Sequence, residues 1–117
     1  MEPHQNLDEH GRVVPDKLPR VAADAIVLRP GQDGYQVMLI TRLKKTFQGC
    51  YAFPGGHVDY DEDPEVSVIR ELKEECNVDG NNPQLVCVRG KPGRDPRYHV
   101  IAIVYLVEVD SNAEPEA

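Results

Sequence analysis

The apolar run at residues 99–109 constrains this chain more than any other feature. It is dominated by Val, Ile and Leu, with Tyr105 in its middle and a single charge, Glu108, near its end. Branched side chains favour extended backbone. A strand that is apolar at nearly every position needs neighbours and cover, so it belongs in the middle of a sheet. The rest of the chain has to supply that sheet. Its 117 residues suffice for one small domain and not for two.

Other segments supply the neighbours. Residues 21–28 mix small and branched apolar side chains and read as a strand. The cluster Pro30-Gly31-Gln32-Asp33-Gly34 is dense in turn formers, and residues 35–41 read as a second strand, so the two form a hairpin. Residues 84–89 read as a further strand after the turn-rich segment 79–83. In Ala52-Phe53-Pro54-Gly55-Gly56-His57-Val58, three residues with special backbone preferences stand in a row. Such a run marks a strand end or loop whose backbone approaches something closely.

Only one stretch reads clearly as a helix. Asp63 can cap it and Pro64 can open it. Val66, Ile69, Leu72 and Cys76 recur at helical spacing and are expected to face the core. Asn77 stands where a helix commonly ends in the left-handed conformation. Strands, one helix, then strands again indicate an α+β domain rather than a regular alternation. Residues 1–20 read as an N-terminal arm, 21–110 as the domain and 111–117 as an acidic tail.

The formal net charge is −7. This argues against general nucleic-acid binding, because phosphate backbones are gripped mainly by Lys and Arg. A small phosphorylated substrate stays compatible if a bound cation inverts the local field. Three widely spaced cysteines, Cys50, Cys76 and Cys87, include no CxxC pair, so neither a disulfide framework nor a zinc site is expected. No stretch approaches the ~20 apolar residues of a membrane span. The first residues are too acidic for a transit peptide and lack the apolar centre of a signal peptide. A cytoplasmic location is the expectation.

The helix also carries a charged face. Glu71, Glu74 and Glu75 stand at i, i+3 and i+4, which puts their carboxylates on one side. Arg70 and Lys73 answer only part of that charge. Hard divalent cations prefer carboxylate oxygen, so the face can cradle Mg²⁺. By itself an acidic helical face is ordinarily solvated surface. The longer spacing changes this reading: Gly56, five residues, Glu62, seven residues, then Arg70-Glu71-Leu72-Lys73-Glu74-Glu75-Cys76-Asn77-Val78.

This arrangement resembles the box of the Nudix hydrolases, G-x5-E-x7-R-E-U-x-E-E-x-G-U, where U is a bulky aliphatic residue. Every specified position matches except the last glycine, here Asn77. The Phe53-Pro54-Gly55 lead-in is also similar to the family. The resemblance covers roughly residues 21–109. It implies a Nudix-type α/β/α sandwich with a mixed sheet, and a metal-dependent hydrolase. It further implies that Glu71, Glu74, Glu75 and the backbone carbonyl of Gly55 hold Mg²⁺ (or Mn²⁺). Arg70 would orient the glutamates by salt bridging, and Glu62 would be an accessory carboxylate. The reaction implied is hydrolysis of a diphosphate bridge by metal-activated water.

Two segments bear on the substrate. Residues 46–56 and 94–101 are similar to ADP-ribose pyrophosphatases of the family. The second holds Arg94-Asp95-Pro96-Arg97, and Arg94 and Arg97 are candidates to meet phosphate or ribose oxygens. The ordinary alternative is a solvated basic loop. The favoured reaction is ADP-ribose to AMP and ribose 5-phosphate, with nucleoside triphosphates next. The rival reading is a non-catalytic Nudix-fold module that binds a nucleotide or a protein. His57 is read as incidental, His99 as structural, and Tyr51, Phe53 and Tyr98 as core aromatics rather than base-stacking groups.

The family fold ordinarily continues with a further strand and a second helix over the other sheet face. This chain carries only residues 110–117 beyond its long strand, so the sandwich is expected to lack that strand and helix. Glu108 and Glu114 are the nearest substitutes for a base supplied from that region. An uncovered apolar face is an association surface. Either the domain is C-terminally truncated, or a homo-oligomer, a covering partner subunit or the N-terminal arm folded back is expected to shield it.

Overall fold

The computed structural model describes residues 5–31, 34–38, 40–41 and 51–110. The long apolar run forms β7 (Val100–Glu108). It lies between β1 (Arg20–Gly31) and β6 (Asn81–Arg89), in the sheet order β2-β1-β7-β6. β1 and β7 pair in parallel from Arg20↔Val100 to Leu28↔Glu108. β6 pairs antiparallel with β7. The sheet is therefore mixed, as expected, and its two most apolar strands adjoin at its centre.

β1 divides its other edge between two partners. Residues Val27 to Gly31 pair with β2 (Gly34–Met38) as the expected hairpin. Ala22, Ala23 and Asp24 pair with His57, Gly56 and Gly55 of β5 (Gly55–His57). The single strand expected over residues 35–41 is two. Its end, β3 (Ile40–Thr41), leaves β1 and pairs with β4 (Tyr51–Ala52) in a separate two-stranded sheet. Asn81 and Asn82, expected in a loop, already belong to β6, which is an edge strand. An edge tolerates both Pro83 and the register shifts on either side of Gln84 and Leu85.

The helix α1 (Pro64–Cys76) follows the expected grammar at both ends. The Asp63 carboxylate accepts from the Glu65 N–H at 2.9 Å. Asn77 adopts φ 54°, ψ 38° and donates its N–H to the Lys73 carbonyl at 2.9 Å. Asn tolerates this left-handed geometry better than other side-chain-bearing residues, which explains its presence where the family has glycine. Asn77→Ala is expected to cost about 1 kcal/mol in urea unfolding, whereas Asn77→Gly costs nothing.

One face of α1 packs on the sheet. Val68, Leu72 and Cys76 meet Ala23, Ala25, Val27, Tyr105 and Val107, and Ile69 lies half-buried at the margin. Val66 does not face the core: it is 57% exposed, and the buried first-turn residues are Ser67 and Val68. Leu72 and Cys76 are buried as expected, but the first turn presents Val68 rather than Val66 to the sheet, while Ser67 Oγ bonds Glu62. Strand alternation places Ile26, Leu28, Val104 and Leu106 on the sheet's opposite face. Among the described elements α1 alone packs on the sheet. Leu85, Val86 and Val88 of β6 are exposed.

The described part of the N-terminal arm makes a turn of its own. Asp8 accepts from the N–H groups of His10 and Arg12, and Leu7 bridges Val13. A short 3-10 turn, Pro15–Lys17, leads into β1. Residues 42–50, including the first five of the segment 46–56 used to read the substrate, lie outside the described residues, as does Glu114.

Candidate functional site

The site is built where β5 lies between β1 and α1. Gly55 and Gly56 permit the close approach anticipated from the Pro-Gly-Gly run. A Cβ on Gly55 would strike the Ala23 carbonyl and the Asp24 side chain. One on Gly56 would stand 2.5 Å from Cδ of Glu71. The bare backbone at Gly56 is what lets the Glu71 carboxylate lie against β5. Glu75, one turn further, accepts from the Gly55 N–H at 3.0 Å through Oε2. Two of the three helix glutamates are thereby set against the glycine pair.

Arg70 organises the others. Its Nε and Nη2 donate to the two oxygens of Glu62 at 2.8 and 2.9 Å. Its Nη1 donates to Glu71 at 2.9 Å and to Glu74 at 3.1 Å. Nη2 also reaches the His57 carbonyl at 3.4 Å and the Asp59 carboxylate at 3.5 Å. One planar fork thus joins the loop before the helix to the acidic face of the helix, a task suited to Arg and not to Lys. The carboxylates beside it push the Arg70 pKa further up, the hydrogen bonds to Glu62 foremost.

Glu62 receives more than Arg70. Ser67 Oγ donates to it at 2.6 Å and the Asp59 N–H at 3.1 Å. These donors, Arg70 first, hold its carboxyl at about 2, down from an ordinary 4.5. A group depressed on folding contributes stability that is complete above its unfolded value and is lost as pH falls through its folded one. The contribution of Glu62 should therefore disappear between about pH 4.5 and pH 2. Thermal melts across that window should fall less steeply for Glu62→Gln than for the unaltered chain.

Glu71, Glu74 and Glu75 are the all-oxygen donor set that a hard divalent cation prefers. Among the described residues, however, no three His, Cys, Asp or Glu side chains gather around one point. Arg70 is the cation that Glu71 and Glu74 share, and Glu74 remains largely exposed, at 59%. By their chemistry these carboxylates could hold such a cation, and the bare Gly56 backbone leaves room for the Glu71 carboxylate among them.

The loop between β6 and β7 meets this site from the side. Arg97 binds both oxygens of Asp95, at 3.0 and 2.7 Å, which holds the Asp95 carboxyl at about 2. Arg94 donates to the Arg89 carbonyl at 3.0 Å. Both candidate substrate contacts are thus fixed within their own loop. His99 accepts the structural role expected of it, with Nε2 2.7 Å from the Gly90 carbonyl. Tyr98 is not a core residue. Its hydroxyl stands 3.3 Å from His57 Nε2, which makes the two rings partners. Neither this contact nor the support of Glu62 by Ser67 and Asp59 has a signal in the spacing.

The NUDIX domain family model matches residues 18–117. The chain is 41% identical over 91 residues to the ADP-ribose pyrophosphatase of Methanocaldococcus jannaschii, a match covering 78% of this chain and 52% of that protein. It is 27% identical over 97 residues to the ADPR responsive transcriptional repressor NtrR of Acinetobacter baylyi, covering 81% of this chain and 39% of the repressor. A MutT/nudix family protein from Enterococcus faecalis superposes with a TM-score of 0.76 at 31% identity, covering 92% of this chain and 46% of that one. The chain spans about half or less of the length of these relatives. The family match, running through β1, the glycine pair, α1 and β7, shows that this chain belongs to the Nudix family.

Proposed function

We propose that the chain hydrolyses the diphosphate bridge of a nucleoside diphosphate linked to another group, with ADP-ribose as the favoured substrate and AMP and ribose 5-phosphate as products. The observation that carries this reading is the Arg70 fork, which joins Glu62, Glu71 and Glu74 beside the glycine pair. All five charged groups of the box are present: Arg70 joins Glu62, Glu71 and Glu74, and Glu75 accepts from the Gly55 N–H. The identity to the M. jannaschii ADP-ribose pyrophosphatase supports the substrate class.

In this reading Glu71, Glu74, Glu75 and the Gly55 carbonyl hold Mg²⁺ (or Mn²⁺). A divalent cation bound there lowers the pKa of water and neutralises charge on the phosphates. Water adds to one phosphorus, the bridging P–O bond breaks, and the departing phosphate keeps the bridging oxygen. Arg70 keeps the glutamates oriented and Glu62 keeps Arg70 in place, so both are positioning residues. Arg97, immobilised by Asp95, offers a pre-set guanidinium edge to phosphate or ribose oxygens, with Arg94 beside it on the loop.

The free Cys76 and Cys87 suit a reducing, cytoplasmic setting, and among the described residues no helix is long and apolar enough to cross a membrane. The sheet face opposite α1 is proposed to be covered by a second copy or a partner subunit. The second reading, a binding module, draws on the likeness to the ADPR responsive repressor. One assay separates the two. ADP-ribose incubated with the chain and Mg²⁺ or Mn²⁺ should release AMP, and chelation should stop it. Binding of ADP-ribose without AMP release would favour the module.

A further inference from the structure

Beside Arg97, the start of β1 gathers three side chains to which the diphosphate chemistry above gives no part: Arg20, Tyr98 and His57. Arg20 is fixed there by its N–H, which donates to the His99 carbonyl at 2.9 Å. Its guanidinium carbon lies 4.7 Å from the centroid of the Tyr98 ring, and that of Arg97 lies 4.9 Å from the same ring. Tyr98 is held in turn against His57, at 5.8 Å between ring centroids with its hydroxyl 3.3 Å from Nε2. His57 follows Gly56, on which the Glu71 carboxylate rests. The stack therefore begins one residue from the site.

Charge is unevenly balanced across it. Arg97 is answered by both oxygens of Asp95. Arg70 is answered by four carboxylates. Arg20 has no carboxylate within ion-pair distance among the described residues. A guanidinium lying on an aromatic ring is oriented by that ring, while its N–H edge stays available to a planar pair of oxygens. Two guanidiniums and one carboxylate leave a net positive charge here, on a chain whose total is −7.

We propose that Arg20 is a phosphate-binding residue for the nucleotide substrate, with Tyr98 as the platform that aims it. This rests on the hydrolase reading above for its ligand, and on Arg20 itself for its site. The phosphate is either one of the bridge or a further monoester on the sugar. The platform explains why Tyr98 stands outside the core: its ring is spent on the two guanidiniums and its hydroxyl on His57.

The test follows the Arg20 Nε–Hε resonance during titration with three probes: inorganic pyrophosphate, ADP-ribose, and ADP-ribose bearing an additional phosphate monoester. Affinities of Arg20→Gln and Arg20→Lys are measured by calorimetry, with Arg12→Gln on the arm as the charge-matched control. The expected result is a saturable shift, and binding weakened about ten- to a hundredfold in Arg20→Gln. Arg20→Lys should recover part of the loss. Equal weakening of both nucleotides assigns the contact to the bridge; weakening of the monoester compound alone assigns it to the added phosphate. Unchanged affinity for all probes in Arg20→Gln, or no response of the unaltered chain to any of them, overturns the inference. AMP release that persists beside unchanged affinities would leave the hydrolase reading standing without it. A response to pyrophosphate without ADP-ribose binding would do the reverse.

Discussion

Glu75→Gln should lower the release of AMP from ADP-ribose by roughly two orders of magnitude or more while leaving the thermal midpoint almost unchanged. The two halves of this expectation have different causes. Glutamine keeps the length of the side chain and an oxygen that can still accept from the Gly55 N–H, now 3.0 Å from Glu75 Oε2. The contact between α1 and β5 therefore survives. The negative charge does not, and a neutral amide is a poor ligand for a hard cation. Glu74→Gln should show the same split, since Glu74 is more exposed and loses only one bond from Arg70. Turnover within threefold of the unaltered chain in both variants would falsify the site assignment. A lowered midpoint in either would mean that the carboxylate serves the fold rather than the chemistry.

Leu72→Ala is the largest expected effect on stability. Leu72 is fully buried at the centre of the helix face that meets β1 and β7. Truncating such a side chain costs about 2–5 kcal/mol, through lost transfer free energy and the cavity left behind. A small domain has only about 5–15 kcal/mol in total. The midpoint should drop by about 10 °C or more. Leu72 also lies between Glu71 and the Glu74–Glu75 pair, so the residual folded fraction should bind ADP-ribose more weakly. Val66→Ala is the matched control. Six residues earlier on the same helix, Val66 is 57% exposed, and its truncation should stay within about 0.5 kcal/mol. Calorimetric melts of the two variants separate the observed helix phase from the one expected from spacing alone.

That helix shows where local signals carry and where they stop. Its ends were legible because capping is local chemistry: Asp63, Pro64 and Asn77 act within a few residues of themselves. The residue its first turn buries was not, because the choice between Val66 and Val68 is made by a sheet whose strands come from both ends of the chain. The long strand was legible from its composition, yet its parallel pairing with β1 joins residues about 80 positions apart, a separation on which composition is silent. The separation of β3 from β2 likewise depends on β4, a partner outside the hairpin. In the site, the box residues were legible because their spacing is fixed by one loop and one helix. Ser67 and Asp59 were not, since nothing distinguishes a serine that supports a glutamate from one that faces water. Tyr98 and His57 are 41 residues apart, and only the fold brings them together.

β1 shares one edge between β2 and β5 and gives the other to β7. The Ala25 N–H donates to the Pro54 carbonyl and the Val58 N–H to the Val21 carbonyl, each within 3 Å. The glycine pair is thereby stitched into the same strand that centres the core. No hinge separates the floor of the site from the framework. Breathing of that floor therefore requires opening the sheet itself, and the site and the domain behave as one cooperative unit. A chain built this way cannot trade rigidity of its chemistry against stability of its fold: whatever loosens β1 loosens both.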